Sequence, residues 1–254
     1  MGIVYLIIAL FATTVGTMSG FGGGVIIKPT LDALGDYNVF VIGVLSSAAV
    51  FSMSLVSTTQ RFIDGLKVDK RLVLLAIGGT IGGLAGKQLF TLSLDYISPD
   101  RLTTVQAVIL IALLQLALYK NKLPHFKVTN RFWILMSGFV LGMVSTYLGI
   151  GGGPFNVAVL CMFFAMDIKE AAAGSIFIIL FSQAVKLVSI ALSTGFGPYD
   201  YGILWYMIPA GVAGGLLGPI VKTKMTHYTV EIVFKAVVIA IVLLNVYNIV
   251  HLNM

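Results

Sequence analysis

Lys186 stands far from either end of an apolar run from about Ala171 to Ser193, and Lys28 lies inside another, four residues past a glycine loop. Ammonium groups in lipid-like surroundings are costly to bury and usually functional. On the first run Ser182, Lys186, Ser189 and Ser193 fall at i, i+4, i+7 and i+11, one face of a helix, with Ser175 seven residues before Ser182. A second run carries Ser47, Ser54, Thr58 and Arg61 at comparable spacing, and Asn156 and Gln183 add amides. Cations with hydroxyl and amide donors suit an anion. All ten acidic residues fall in predicted loops or at helix ends, so no buried carboxylate is expected to carry a proton or hold a cation. The plainer alternatives are that Lys28 and Lys186 snorkel to a head-group region, as Lys87 and Lys235 near helix ends are expected to do, and that the hydroxyls only bond a neighbouring helix. Catalysis has little material. His125 and His227 lie in predicted loops and His251 near the C-terminus, no nucleophile has a base nearby, and no metal site or cofactor is expected.

The second candidate chemistry is backbone chemistry. Gly20-Phe21-Gly22-Gly23-Gly24 and Gly149-Ile150-Gly151-Gly152-Gly153 interrupt apolar runs with four glycines in five residues, enough to break a helix. Non-helical backbone survives at membrane depth only where it is buried in protein or lines a polar cavity. A helix beginning after such a loop turns unpaired N–H groups and its positive dipole end toward that cavity, a ready site for an anion. The alternative, tight helix contact alone, is the reading preferred for Gly78, Gly82 and Gly86 and for Gly211, Gly214, Gly215 and Gly218, whose spacing is that of helix packing. A nucleotide-binding loop is excluded, because no strand precedes either stretch.

These residues must be positioned by membrane helices. Of 254 residues 58% are hydrophobic and only 10% charged, with a mean hydropathy of +1.01, against roughly 25% charged in soluble domains. The expected fold is an all-α polytopic membrane protein of one domain, 1–254, in contact with the lipid bilayer. The net charge of +6 sits in short loops, which explains it by orientation rather than by nucleic acid. The single cysteine, Cys161, excludes an intrachain disulfide and reads as a packed thiol. The run from Gly2 lacks a basic leader and a cleavage site, so it is kept in the mature fold.

Helical segments are expected at about 2–18 and 25–34 flanking the first loop, then 38–58, 72–92 and 102–119, and again at 132–148 and 154–166 flanking the second loop, then 171–193, 202–221 and 230–250. Pro154 suits a first helical turn. The halves, 1–120 and 131–254 with a cytoplasmic linker at 120–131, align at offsets of about 129 to 132 residues: Gly20–Gly24 on Gly149–Gly153, Ser46 on Ser175, and Ile81–Gly86 on Ala213–Gly218. Arg61, Lys67, Lys70 and Arg71, then Lys120, Lys122, Lys127 and Arg131, then Lys222 and Lys224 mark cytoplasmic connections. Asp32, Asp36, Asp95, Asp100 and Asp200 mark outer ones. On that count the repeats are inverted, each a broken helical hairpin with a glycine-loop tip plus three spans, in the cytoplasmic membrane with both termini outside. Tyr5, Tyr96, Trp205, Tyr206 and Tyr247 would form an outer aromatic belt and Tyr119, Trp133 and Tyr228 an inner one. The packing glycines are compatible with a homodimer as with packing inside one chain.

The duplicated GxGGG loops, the arm with Pro29 and Leu31 after the first, and Gly149-Ile-Gly-Gly-Gly-Pro-Phe-Asn156 followed by Ile168-Lys-Glu-Ala-Ala resemble the sulfite exporter TauE/SafE family over nearly the whole chain. The resemblance implies export of a sulfur oxyanion such as sulfite, or of an organosulfonate. In the second repeat Val157 stands opposite Lys28 and Ala158 opposite Pro29. The expected anion site therefore comprises Gly20, Phe21, Gly22, Gly23, Gly24 and Lys28 from one hairpin and Gly149, Gly151, Gly152, Gly153 and Asn156 from the other. Ser47, Ser175, Ser182, Gln183 and Lys186 complete it from the following spans. A passive anion channel built on paired half-helices is the alternative.

Overall fold

A computed structural model describes residues 2–65, 69–118, 126–193, 195, 201–225 and 227–253. Lys67, Tyr119, Lys120, Lys122, His125, Asp200 and the side chains of Lys222 and Tyr228 lie outside the described residues, as does much of the 120–131 linker. The described residues form ten helices: α1 (Gly2–Ser19), α2 (Gly24–Leu34), α3 (Val39–Ile63), α4 (Lys70–Tyr96), α5 (Pro99–Leu118), α6 (Arg131–Tyr147), α7 (Pro154–Phe164), α8 (Ile168–Leu192), α9 (Leu204–Thr223) and α10 (His227–Asn253). The fold is all-helical, and six helices, α1, α3, α4, α5, α8 and α9, are long and apolar enough to cross a membrane.

Helix starts follow side-chain caps. Asn38 accepts from the Val41 N–H at 2.9 Å, and Asp167, at the 129-residue offset, accepts from Lys169 and Glu170 at 2.7 and 2.9 Å. Such oxygens satisfy backbone donors that a helix start leaves open. The glycine loops end α1 and α6, and the returning arms α2 and α7 have 11 residues each. At ~1.5 Å per residue these arms rise about 16 Å, half the ~30 Å hydrocarbon core. Each hairpin thus has one long arm and one short one.

The tertiary pattern repeats. α4 lies along α6 and α9 along α1, α4 packs on α8 as α9 packs on α3, and α5 reaches α7 as α10 reaches α2. Exchanging the first five helices for the last five leaves this pattern unchanged. Glycine stripes make the closest contacts: a Cβ at Gly78, Gly82 or Gly86 would overlap the carbonyls of Leu135, Phe139 or Met143 on α6. Gly214 and Gly218 likewise fit against Thr13 and Thr17 of α1, and Gly211 and Gly215 against Ala49 and Met53 of α3. These contacts lie within the chain.

Outward faces are apolar, with Ile3, Ile7 and Phe11 of α1 and Leu243 of α10 exposed. Tyr96, Trp133, Trp205, Tyr206 and Tyr247 are exposed as well. Tyr5 departs from the expected belt: it is 2% exposed, and its hydroxyl donates to Asp36. Cys161 is half-buried against the apolar cluster of α5 to α7.

Candidate functional site

Three glycines in each loop hold a backbone that side chains disfavour. Gly20, Gly22 and Gly23 have φ of 83°, 83° and 70°, and their counterparts Gly149, Gly151 and Gly152 have 68°, 71° and 133°. An L-residue with a Cβ meets its own carbonyl there. The loops deliver the chain into helix at Gly24 and Pro154, with Pro154 in the first turn of α7. Among the described residues no backbone carbonyl takes the N–H of Gly23, Gly152 or Gly153.

The two tips pack directly on each other. The Ile150 carbonyl sits so close to Gly24 that any Cβ would overlap it, and a Cβ on Gly22 would stand 3.6 Å from the Gly151 oxygen. Phe21 and Ile150, both 0% exposed, enter an apolar cluster. Phe21 therefore fills the core beside the loops. Ser175 donates to the Gly20 carbonyl at 2.8 Å, tying α8 to the first loop. Among the described residues its counterpart Ser46 has no hydrogen-bond partner, and neither do the amide atoms of Asn156 beside Gly152 or of Gln183 beside Gly151. Buried polar atoms are normally paired, so these five are exceptions gathered beside the loops.

The open space lies to one side of the tips. Lys28 of α2, Lys87 of α4 and Lys186 of α8 line one small cavity with Gly43, Thr146 and Gly149. Its volume, about 10 Å³, is no more than one water requires. Lys186 is 5% exposed and donates to the Gly43 carbonyl at 3.1 Å and to Ser47 Oγ at 2.7 Å. Gly43 has no side chain to push the ammonium away; a Cβ there would lie 3.7 Å from it. The Thr146 hydroxyl is buried without a partner. The Lys28 stem crosses Gly149, 3.4 to 3.5 Å from where a Cβ would stand.

Three departures from expectation matter here. Lys28 is buried, but its ammonium bonds Asp32 at 2.7 Å, and the Asp32 side chain is only 6% exposed. A buried carboxylate thus exists one turn along α2, close enough to the helix end to read as a loop residue. Lys87, expected only to snorkel, also lines the cavity, while its ammonium donates to the exposed Ser193 Oγ at 2.9 Å. Ser182 and Ser54 bond carbonyls of their own helices, Ile179 and Phe51, so neither hydroxyl is a free donor to a ligand. Thr146 gave no signal in the sequence, because one threonine in an apolar run is ordinary.

The cation cluster breaks the duplication. Positions equivalent to Lys28, Lys87 and Lys186 hold Val157, Pro219 and Ser57. The site is built once, from both halves.

The family profile described as Sulfite exporter TauE/SafE matches residues 5–245. The chain is similar to the probable membrane transporter protein YunE of Bacillus subtilis (strain 168), 24% identical over 266 residues that cover 94% of this chain and 95% of that protein. No solved structure matches significantly.

Proposed function

The chain belongs to the sulfite exporter TauE/SafE family of membrane transporters, and from that premise we propose that it is a secondary transporter exporting a small sulfur-containing anion, such as sulfite or an organosulfonate. The observation that carries the reading is the cavity: Lys28, Lys87 and Lys186 line it in a chain that is 10% charged, and among the described residues only Lys28 has a carboxylate within 4 Å, while the ammonium of buried Lys186 has none. In a low-dielectric interior such an arrangement needs an anion. Lys186 has three N–H donors and gives two to the protein, which leaves one for an oxyanion. Thr146, Asn156, Gln183 and Ser46 supply neutral polar groups between this cavity and the loop tips, and the open N–H groups of Gly152 and Gly153 supply backbone donors.

We prefer a carrier to a passive channel because the space beside the lysines admits at most one water, whereas a conducting pore is continuous. In the carrier reading the repeats are inverted, the lysine cavity faces the outer half of the cytoplasmic membrane, and one bundle rocks against the other. The exchangeable packing of the two halves supports that motion.

The test uses purified protein against sulfite, thiosulfate, sulfoacetate and sulfate, by thermal shift and by uptake into proteoliposomes. Stabilisation by one sulfur anion, with saturable flux and counterflow, is the expected result. Non-saturating flux would move the reading to a channel, and no response to any of the four would remove the substrate assignment.

A further inference from the structure

The duplication offers a counterpart to the lysine cavity at the other end of α3. Ser57 stands at the offset of Lys186, and Thr17 and Gly20 stand at the offsets of Thr146 and Gly149. Along α3, Arg61 follows Ser47 by fourteen residues, about 21 Å at ~1.5 Å per residue. That distance carries it to the far side of the loop tips.

Ser57 and Thr58 are buried there, and Arg61 is half-buried, with Asp64 the nearby acid that acts on it. Ser57 is 0% and Thr58 3% exposed, and among the described residues neither hydroxyl has a hydrogen-bond partner. Arg61 Nε is also buried and unbonded, and among the described residues no carboxylate comes within 4 Å of the guanidinium. The end of α3 is held against α8 by an edge-to-face contact of Phe62 with Phe177, ring centroids 6.3 Å apart. Three unmet polar groups within two turns of one helix are costly to keep in a membrane interior unless a ligand meets them. A planar guanidinium with two hydroxyls is oxyanion chemistry, since its N–H fork matches two oxygens at once.

We propose that Arg61, with Ser57 and Thr58, forms a second oxyanion site at the opposite end of the route, filled when the transporter opens toward the face carrying Arg61. The inference rests on the carrier reading above. It deepens that reading by giving the two faces different cations, a lysine cluster at one and an arginine at the other.

Side-specific kinetics test it. Radiolabelled sulfite and sulfoacetate are presented to right-side-out and inside-out membrane vesicles. Arg61→Gln is expected to raise KM about tenfold on the Arg61 face, the loss of one charge-assisted contact, while KM on the other face stays unchanged. Lys186→Gln should do the reverse, and Arg61→Lys should recover part of the loss. Ser57→Ala, which keeps the charge, should raise KM severalfold on the Arg61 face alone and provides the same test where Arg61→Gln fails to fold. Equal effects on both faces, or none on either, would overturn the second site while leaving transport standing. Wild-type vesicles that move neither anion from either face would overturn the transport reading itself.

Discussion

The Lys186 ammonium has two protein acceptors, Gly43 O and Ser47 Oγ, and no carboxylate within 4 Å among the described residues. In the proposed reading its charge is held for the transported anion. Lys186→Gln removes the charge and leaves amide donors on a side chain one atom shorter, so sulfite binding by titration calorimetry should weaken at least tenfold, or about 1.4 kcal/mol. Wild-type affinity in that variant would deny the charge its role. Lys28 differs because Asp32 already faces it at 2.7 Å. In Asp32→Asn the ammonium loses its internal counter-ion; breaking a buried pair costs about 3 kcal/mol. The variant should melt lower without ligand, and sulfite should restore more of its stability than it adds to the wild type. An unchanged melting temperature would show the pair to be solvent-screened.

At the scale of elements, the same residue type serves two purposes that can be separated by measurement. Gly82 is helical, and its need is space: a Cβ would strike the Phe139 carbonyl of α6. Gly35 has φ +70° but open space around it, so its need is backbone freedom alone. Gly82→Ala should cost about 1–3 kcal/mol through overpacking, and Gly35→Ala about 1 kcal/mol through strain. Thermal unfolding in detergent should rank them in that order, and the opposite ranking would mean that α4 and α6 can part cheaply. Helix ends and breaks were legible in the chain because caps and glycine triplets act on neighbouring residues. The unequal arms also followed from length: Val25–Leu34 was too short to span, and α2 has 11 residues.

For the whole molecule the open prediction is topology. Single cysteines introduced as Gly35→Cys and Lys169→Cys in a Cys161→Ser background should react with a membrane-impermeant maleimide from opposite sides of intact cells or inverted vesicles. Labelling of both from one side would rule out inverted repeats. Much of the architecture was readable in the sequence, because the hydropathy of a run and the spacing of its glycines depend on contiguous residues and on the bilayer's thickness. The same holds for the positive-φ positions of the two loops, since only glycine adopts them without strain, and for Lys186 as a cation deep in an apolar run. Where side chains end up was another matter. Tyr5 read as a belt residue and is buried against Asp36, and Asp32 read as a loop acid and neutralises Lys28. Each outcome depends on which helix lies opposite, a relation between residues far apart in the chain that no local pattern encodes. The loops themselves show the same division: their glycines were written in the sequence, but only the packing of Ile150 on Gly24 brought the tips together and displaced the cavity to the side where three lysines meet.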